Sequence, residues 1–164
     1  MEKVWLKSYP KGVPSEINLD EFQSLVDLFN QTCDRFNDQP AFTNFGVEVS
    51  FRELKSHSEN LSSFLLNEFN LKKGDRVSIM MPNILQYPIS TFGILKSGLT
   101  IDNINPLFTE RELKAQLNDS GSETIIIAEN FASNLQSILK ETSIKNVLIT
   151  SVGEFLGLKG IIIN

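Results

Sequence analysis

The chain has 164 residues, of which 41% are hydrophobic and 21% charged, and its formal net charge is −5. This favours one globular domain with a packed interior and argues against a disordered chain. With no block of basic residues, it also argues against nucleic-acid binding, because phosphate contact needs clustered Lys and Arg.

Residues 1–23 read as an N-terminal arm. The opening "MEKVWLKSYPKG" has no apolar signal core followed by a small-residue cleavage site, so no secretion signal is expected. An α/β unit over residues 24–152 follows. "SLVDLFNQTCDRF" sets Leu25, Leu28, Phe29, Thr32, Cys33 and Phe36 at helical spacing, with Ser24 as cap and Asp27 three residues on. Cys33 is the only cysteine, which excludes an internal disulfide and fits a reducing compartment. Its place on the apolar face marks a buried, inert thiol rather than a nucleophile.

"PAFTNFGVEVSF" reads as two short strands about a turn at residues 44–46, hence a hairpin. Ser50 and Glu53 then have the spacing of a capping box, opening a helix with Leu54, Leu61, Phe64 and Leu65 on its inner face. His57, the only histidine, falls at the edge of that face. A packed imidazole outweighs a catalytic one, and a His-rich metal site is excluded.

"SIMMPNILQYPISTFGILKSGLTI", residues 78–101, carries only Lys96 as a charge. A transmembrane helix needs about 20 predominantly apolar residues. Here Pro82, Asn83, Gln86, Pro88, Ser90 and Thr91 interrupt the run. Pro82-Asn83 splits it into a strand and a helix, with Asn83 as the expected N-cap, and Gly98 stops that helix before the next strand. The stretch therefore reads as a buried βαβ unit. Thr109 and Glu112 repeat the capping-box spacing, and Gly121 ends that helix. "ETIIIAE" is a strand, "NFASNLQSILKE" a helix with Phe131, Leu135, Ile138 and Leu139 inward, and "NVLIT" a strand. Four strand signals alternating with helices give an α/β fold: a doubly wound, mainly parallel sheet with flanking helices and an N-terminal β-hairpin.

Ligands in such sheets sit beyond the carboxyl ends of the strands. Those ends are "PN" at 82–83, "NINPLFT" at 103–109 and "AENF" at 128–131, rich in Asn and poor in catalytic groups. Neither G-x-G-x-x-G after a strand nor G-x-x-x-x-G-K-[ST] occurs. Asp34, Asp38, Asp75 and Asp119 stand at expected helix ends or turns, where capping is the ordinary role. The residues alone describe an α/β domain without a visible active site.

The order of motifs, however, resembles a known family. "QPAFTNFGVEVSFRELKSHSENLSSFL", "LKKGDRVSIMMPNILQYPISTFGILKSG" and "NINPLFTERELKAQLNDSG" resemble the N-terminal region of adenylate-forming acyl-CoA synthetases. "PNILQYPISTFGILKSG" with "NPLFTERELKAQLNDSG", preceded by "VWLKSYPKGVPSEI", is similar to bacterial long-chain fatty-acid–CoA ligases. The resemblance covers residues 3 to 152. It implies that the fold is part of the large N-terminal domain of such enzymes. It also implies a two-step reaction: ATP and a fatty acid give an acyl-adenylate and pyrophosphate, and coenzyme A then displaces AMP, with Mg²⁺ offsetting phosphate charge.

The family's Ser/Thr/Gly-rich phosphate loop, Thr-Glu pair, ribose-binding Asp and catalytic Lys have no counterparts in these residues. The resemblance therefore implies an N-terminal portion, inactive alone and binding no cofactor by itself, with residues 153–164 starting a following segment. No catalytic or metal-ligating residue is assigned. The "NPLFT" turn is expected toward the coenzyme A side, making Asn105 and Phe108 candidate cofactor contacts, against the plainer reading of a turn with Thr109 as N-cap. Phe108 stands where relatives often have Tyr. Asp102 stands where the family places an apolar or small residue, so it should be wet or paired. The resemblance further implies a cytoplasmic enzyme able to associate peripherally with the inner membrane, and exposed strand edges imply a homo-oligomer. The alternatives are another carboxylate-activating ligase, or a non-catalytic remnant serving as an interaction module.

Overall fold

The computed structural model describes residues 3–18, 20–157 and 160. A 3-10 turn at Val4–Ser8 lies in the arm and buries none of its residues. Helix α1 (Leu25–Phe36) opens at Ser24, whose side chain accepts from the Asp27 N–H, while Asp27 accepts from the Gln23 N–H. Strands β1 (Pro40–Asn44) and β2 (Val47–Ser50) pair antiparallel. Phe45 and Gly46 turn between them, both at positive φ, as the right-handed twist of a tight hairpin demands.

Helices α2 (Phe51–Asn67) and α4 (Glu110–Ser120) begin in reciprocal capping boxes, Ser50 with Glu53 and Thr109 with Glu112. Each pair satisfies backbone donors that the first helical turn leaves open. The same bonds hold both carboxyls below their usual range. For Glu53 the larger cause is the Ser50 backbone N–H, and for Glu112 the Thr109 hydroxyl.

Strands β3 (Arg76–Met80), β4 (Thr100–Asn103), β5 (Thr124–Ala128) and β6 (Asn146–Thr150) form one parallel sheet in the order β4-β3-β5-β6. Helices α2 and α3 (Gln86–Lys96) cover one face through Leu65 and Ile94, packed on Ile79 and Ile126. On the other face, α4 and α5 (Ala132–Ile138) set Leu113, Leu117, Leu135 and Ile138 against Met80, Ile125 and Ile127. Alternate residues of β5 thus enter opposite cores, and the sheet is doubly wound as expected. Residues 78–101 form the end of β3, the whole of α3 and the first half of β4. No helix among the described residues is long and apolar enough to cross a membrane.

Helix α3 lies close against α2, so that a Cβ at Gly93 would come within 2.9 Å of Leu61 Cδ2. It ends where the Leu99 N–H donates to the Ile94 carbonyl and the Gly98 N–H to that of Leu95, with Gly98 in the left-handed region. Lys96 Nζ donates to Asn30 Oδ1 at 2.7 Å and Glu59 Oε1 at 3.0 Å, tying α3 to both α1 and α2. Cys33 is buried, and burial raises its thiol pKa. His57 is half-buried and meets the Phe155 ring edge-on at 5.1 Å.

Several local expectations differ from the structure. Leu25 is 65% exposed and Phe64 37%, because no described element covers those ends of their apolar stripes. Asn83 does not cap α3. The Ile84 N–H turns back to the Pro82 carbonyl and the Tyr87 N–H to that of Ile84, so a tight turn delays the helix to Gln86. Asp34 and Asp38 form ion pairs to Lys55 and Arg52 of α2 instead of caps, whereas Asp75 accepts the Lys72 N–H as expected of a turn. Helix α5 is short, with Phe131 and Leu139 in flanking 3-10 turns but still packed on the same core. The consecutive, strand-forming Ile161, Ile162 and Ile163, whose sequence predicts an unpaired strand edge, lie outside the described residues.

Asp102 is paired. It is half-buried on the edge strand β4, where its Oδ2 accepts from the Ser78 hydroxyl at 2.9 Å and its Oδ1 from the Gln116 amide at 2.7 Å. Ser78 is fully buried, so the carboxylate is the acceptor that makes its hydroxyl tolerable there.

Three substitutions at two positions test these contacts. Thr109→Ala should lower unfolding free energy by about 1 kcal/mol in urea denaturation at constant slope, through loss of the cap. Asp102→Val should cost about 2 kcal/mol by orphaning Ser78, and Asp102→Asn less, because an acceptor oxygen remains. Equal midpoints for Asp102→Val and the parent would show that the network contributes no stability.

Candidate functional site

The strand order places the change of winding between β3 and β5, since β4 lies on one side of β3 and β5 on the other. The crevice of an open α/β sheet forms at such a point, beyond the carboxyl ends. Here the rim comprises the turn after β3, the 104–109 turn after β4, and the Glu129–Phe131 turn after β5. The strands beneath are apolar, with Met80 and Ala128 fully buried, while Pro82, Asn83, Glu129 and Asn130 stand exposed above them.

Both sequence-expected contacts lie on this rim, and both have structural work. Asn105 is exposed. Its Oδ1 accepts from the Leu107 N–H at 3.0 Å, and its carbonyl from the Phe108 N–H at 3.1 Å. This folds the turn locally and leaves the side-chain amide donors facing solvent. Phe108 is half-buried and packs on the core beneath α4 and α5, while its carbonyl accepts from the Asn134 amide.

A set of long-range bonds steadies the same turn. Gln116 donates to the Asn103 carbonyl at 3.0 Å as well as to Asp102, and Tyr87 donates its hydroxyl to Asn103 Oδ1 at 3.1 Å. The end of β4 is therefore fixed from α3 and from α4. A broad shallow groove beside it is lined by Asp102, Phe108, Glu112, Gln116 and Asp119. Its acidic lining does not suit a phosphate group.

Two other clefts flank the sheet. One, of about 330 Å³, lies between the hairpin and the start of α3 and is almost wholly apolar, with Phe42, Ile84, Leu85, Pro88 and Phe92 in its walls. The other, of about 210 Å³, brings His57, Gln86, Ser90, Thr150 and Glu154 together beyond the end of β6. Gln86 is buried there and donates to the Ser151 carbonyl at 2.6 Å, and Thr150 bonds Glu154. Sequence reasoning passed over this cluster because its members are up to 97 positions apart, His57 to Glu154, and follow no common spacing. Among the described residues no group of three or more His, Cys, Asp or Glu side chains could hold a metal ion.

Among the described residues, the rim at the ends of β3, β4 and β5 is rich in Asn and braced by long-range hydrogen bonds, and its one acid, Glu129, has no His or Lys beside it on these turns. Comparison with known proteins says what that scaffold belongs to. Residues 29–159 match the family described as AMP-binding enzyme. A long-chain-fatty-acid–CoA ligase of Escherichia coli O6:H1 is 49% identical over 165 aligned residues, covering 100% of this chain and 29% of that protein. One from Salmonella typhimurium is 50% identical with the same coverage. Among solved structures, a long-chain-fatty-acid–CoA ligase from Archaeoglobus fulgidus superposes with a TM-score of 0.74 at 22% identity. That superposition covers 90% of this chain and 32% of the other, and supports the fold alone. The chain thus spans about three-tenths of the length of the curated relatives it matches. By the match of most of its length, this chain belongs to the AMP-binding enzyme family.

Proposed function

We propose that this sequence is the N-terminal part of a long-chain fatty-acid–CoA ligase. The observation that carries the reading is 49–50% identity over the whole chain to proteins of that name, on a matching fold. The reaction joins ATP and a fatty acid into an acyl-adenylate, releasing pyrophosphate, and the thiol of coenzyme A then displaces AMP. ATP and coenzyme A are the cofactors of the whole enzyme, and Mg²⁺ offsets the phosphate charge. Within it these residues form a scaffold. The described residues contain no phosphate-cradling loop, and the chain's role is to hold one wall of the site.

Asn105 and Phe108 are the candidate coenzyme A contacts. Asn105 offers two outward amide donors on a turn braced by Gln116 and Tyr87, and Phe108 anchors that turn to the core. The whole enzyme works in the cytoplasm and associates peripherally with the inner membrane. The chain also self-associates through its sheet edges, of which β6 carries Ile149 at 55% exposure.

Exchange of labelled pyrophosphate into ATP isolates the first half-reaction, in which coenzyme A takes no part. The longer polypeptide containing this sequence should show fatty-acid-dependent exchange, and the 164-residue chain alone should show none. Asn105→Ala in the longer enzyme should leave exchange intact and raise KM for coenzyme A by about threefold to tenfold, the effect of one lost hydrogen bond. Exchange by the isolated chain would overturn its role as scaffold, and an unchanged KM would remove Asn105 from the site. For self-association, sedimentation equilibrium should show dimers at ~100 μM, well above the dissociation constants of modest interfaces. A clean monomer there would mean the edges do not pair.

A further inference from the structure

We propose that Tyr87 is a positioning residue for the coenzyme A step: its hydroxyl, acting through Asn103, sets where the 104–109 turn presents Asn105. The inference rests on the reading of Asn105 as a coenzyme A contact. It adds to that reading a residue on another element that acts without touching the ligand.

Asn103 is the last residue of β4 and the root of the turn. Its carbonyl accepts from the Gln116 amide of α4 at 3.0 Å, and its Oδ1 accepts from the Tyr87 hydroxyl of α3 at 3.1 Å. The next residue, Ile104, is buried in the core beneath α4 and α5, and its N–H donates to the Ile79 carbonyl of β3 at 2.9 Å. Ile104 thus anchors the chain from below, while Tyr87 and Gln116 hold Asn103 from opposite faces of the sheet. Losing either bond leaves it tethered from one face only. Planar peptide units link Asn103 to Asn105, so a tilt at the root is carried to the contact.

The Tyr87 donor is itself rigid. Its ring is half-buried against the core that α2 and α3 share with the sheet, and its N–H donates to the Ile84 carbonyl at 3.0 Å. Its neighbours Gln86 and Pro88 are buried. A side chain so held can transmit position. Gln116 is less specific, because its amide also serves Asp102 and through it the buried Ser78 hydroxyl. The Tyr87 hydroxyl has Asn103 as its one hydrogen-bond partner among the described residues. Tyr87→Phe therefore removes that bond and leaves the ring packing in place.

Steady-state kinetics of the longer polypeptide containing this sequence test the assignment. Tyr87→Phe should leave fatty-acid-dependent pyrophosphate exchange and the thermal midpoint at parent values. It should raise KM for coenzyme A by about twofold to fivefold, within the range of one weakened hydrogen bond. Asn103→Ala removes the acceptor and should raise KM at least as far, with no further rise when Tyr87→Phe is added. Tyr87→Phe should also have no effect in an Asn105→Ala background, because the contact it aligns is then gone. A purely structural role would not depend on Asn105.

A parent KM for Tyr87→Phe while Asn105→Ala still raises it would overturn the proposal and leave Asn105 a contact. A raised KM for Tyr87→Phe with none for Asn105→Ala would also overturn it, because Tyr87 would then act on another group. Equal losses in exchange and in the coenzyme A step would make Tyr87 a structural residue of the whole enzyme. Absence of exchange in the parent would overturn the ligase reading and this assignment with it.

Discussion

The structure depends on the burial of β5. All five residues from Thr124 to Ala128 are buried, with β3 on one side and β6 on the other. A strand so placed can hydrogen-bond only through its neighbours, and both of its faces need apolar cover. From this follow a sheet with helices on both sides, two separate hydrophobic cores and short crossovers between parallel strands. It also follows that polar chemistry can collect only at the sheet's rims and edges.

Asp102 shows how that constraint operates at an edge. On β5 a carboxylate would be prohibitive, but β4 is flanked on one side only, and α4 brings Gln116 within reach. The acid also answers the buried hydroxyl of Ser78 on the neighbouring strand, at the register position directly beside it. What reads in sequence as a misplaced charge is one half of a cross-strand pair. The same Gln116 continues to Asn103, so the polar cluster that reconciles the charge also fixes the start of the 104–109 turn.

Much of the fold was legible because its signals are local. The capping boxes at Ser50 and Thr109, the stops at Gly98 and Gly121 and the apolar run of β5 each lie within a few residues and obey backbone geometry directly. Periodicity was less informative about cover. It identified the apolar stripes of α1 and α2, but whether Leu25 or Phe64 is buried depends on which element lies opposite, and that is not encoded in spacing. Asn83 failed as a cap for a related reason, since Pro82 and Ile84 close a turn that only the approach to α3 dictates. At the site, the Asn-rich rim was visible in the sequence. The bonds that brace it, Tyr87 to Asn103 and Gln86 to Ser151, join residues 16 and 65 positions apart and were not.

Helix α3 poses a problem of rotational phase. It is apolar around most of its circumference, so turning it about its own axis would exchange one greasy face for another at small energetic difference. Two polar contacts at its opposite ends remove that freedom. Gln86 at the first residue is held by the Ser151 carbonyl, and Lys96 at the last by Asn30 and Glu59. Like a rod pinned at both tips, the helix then presents Gly93 to α2 and Tyr87 to Asn103 and cannot present other residues instead. The one charge in the long uncharged run from residue 77 to residue 101 thus fixes an angle, and through Tyr87 that angle reaches the rim of the sheet.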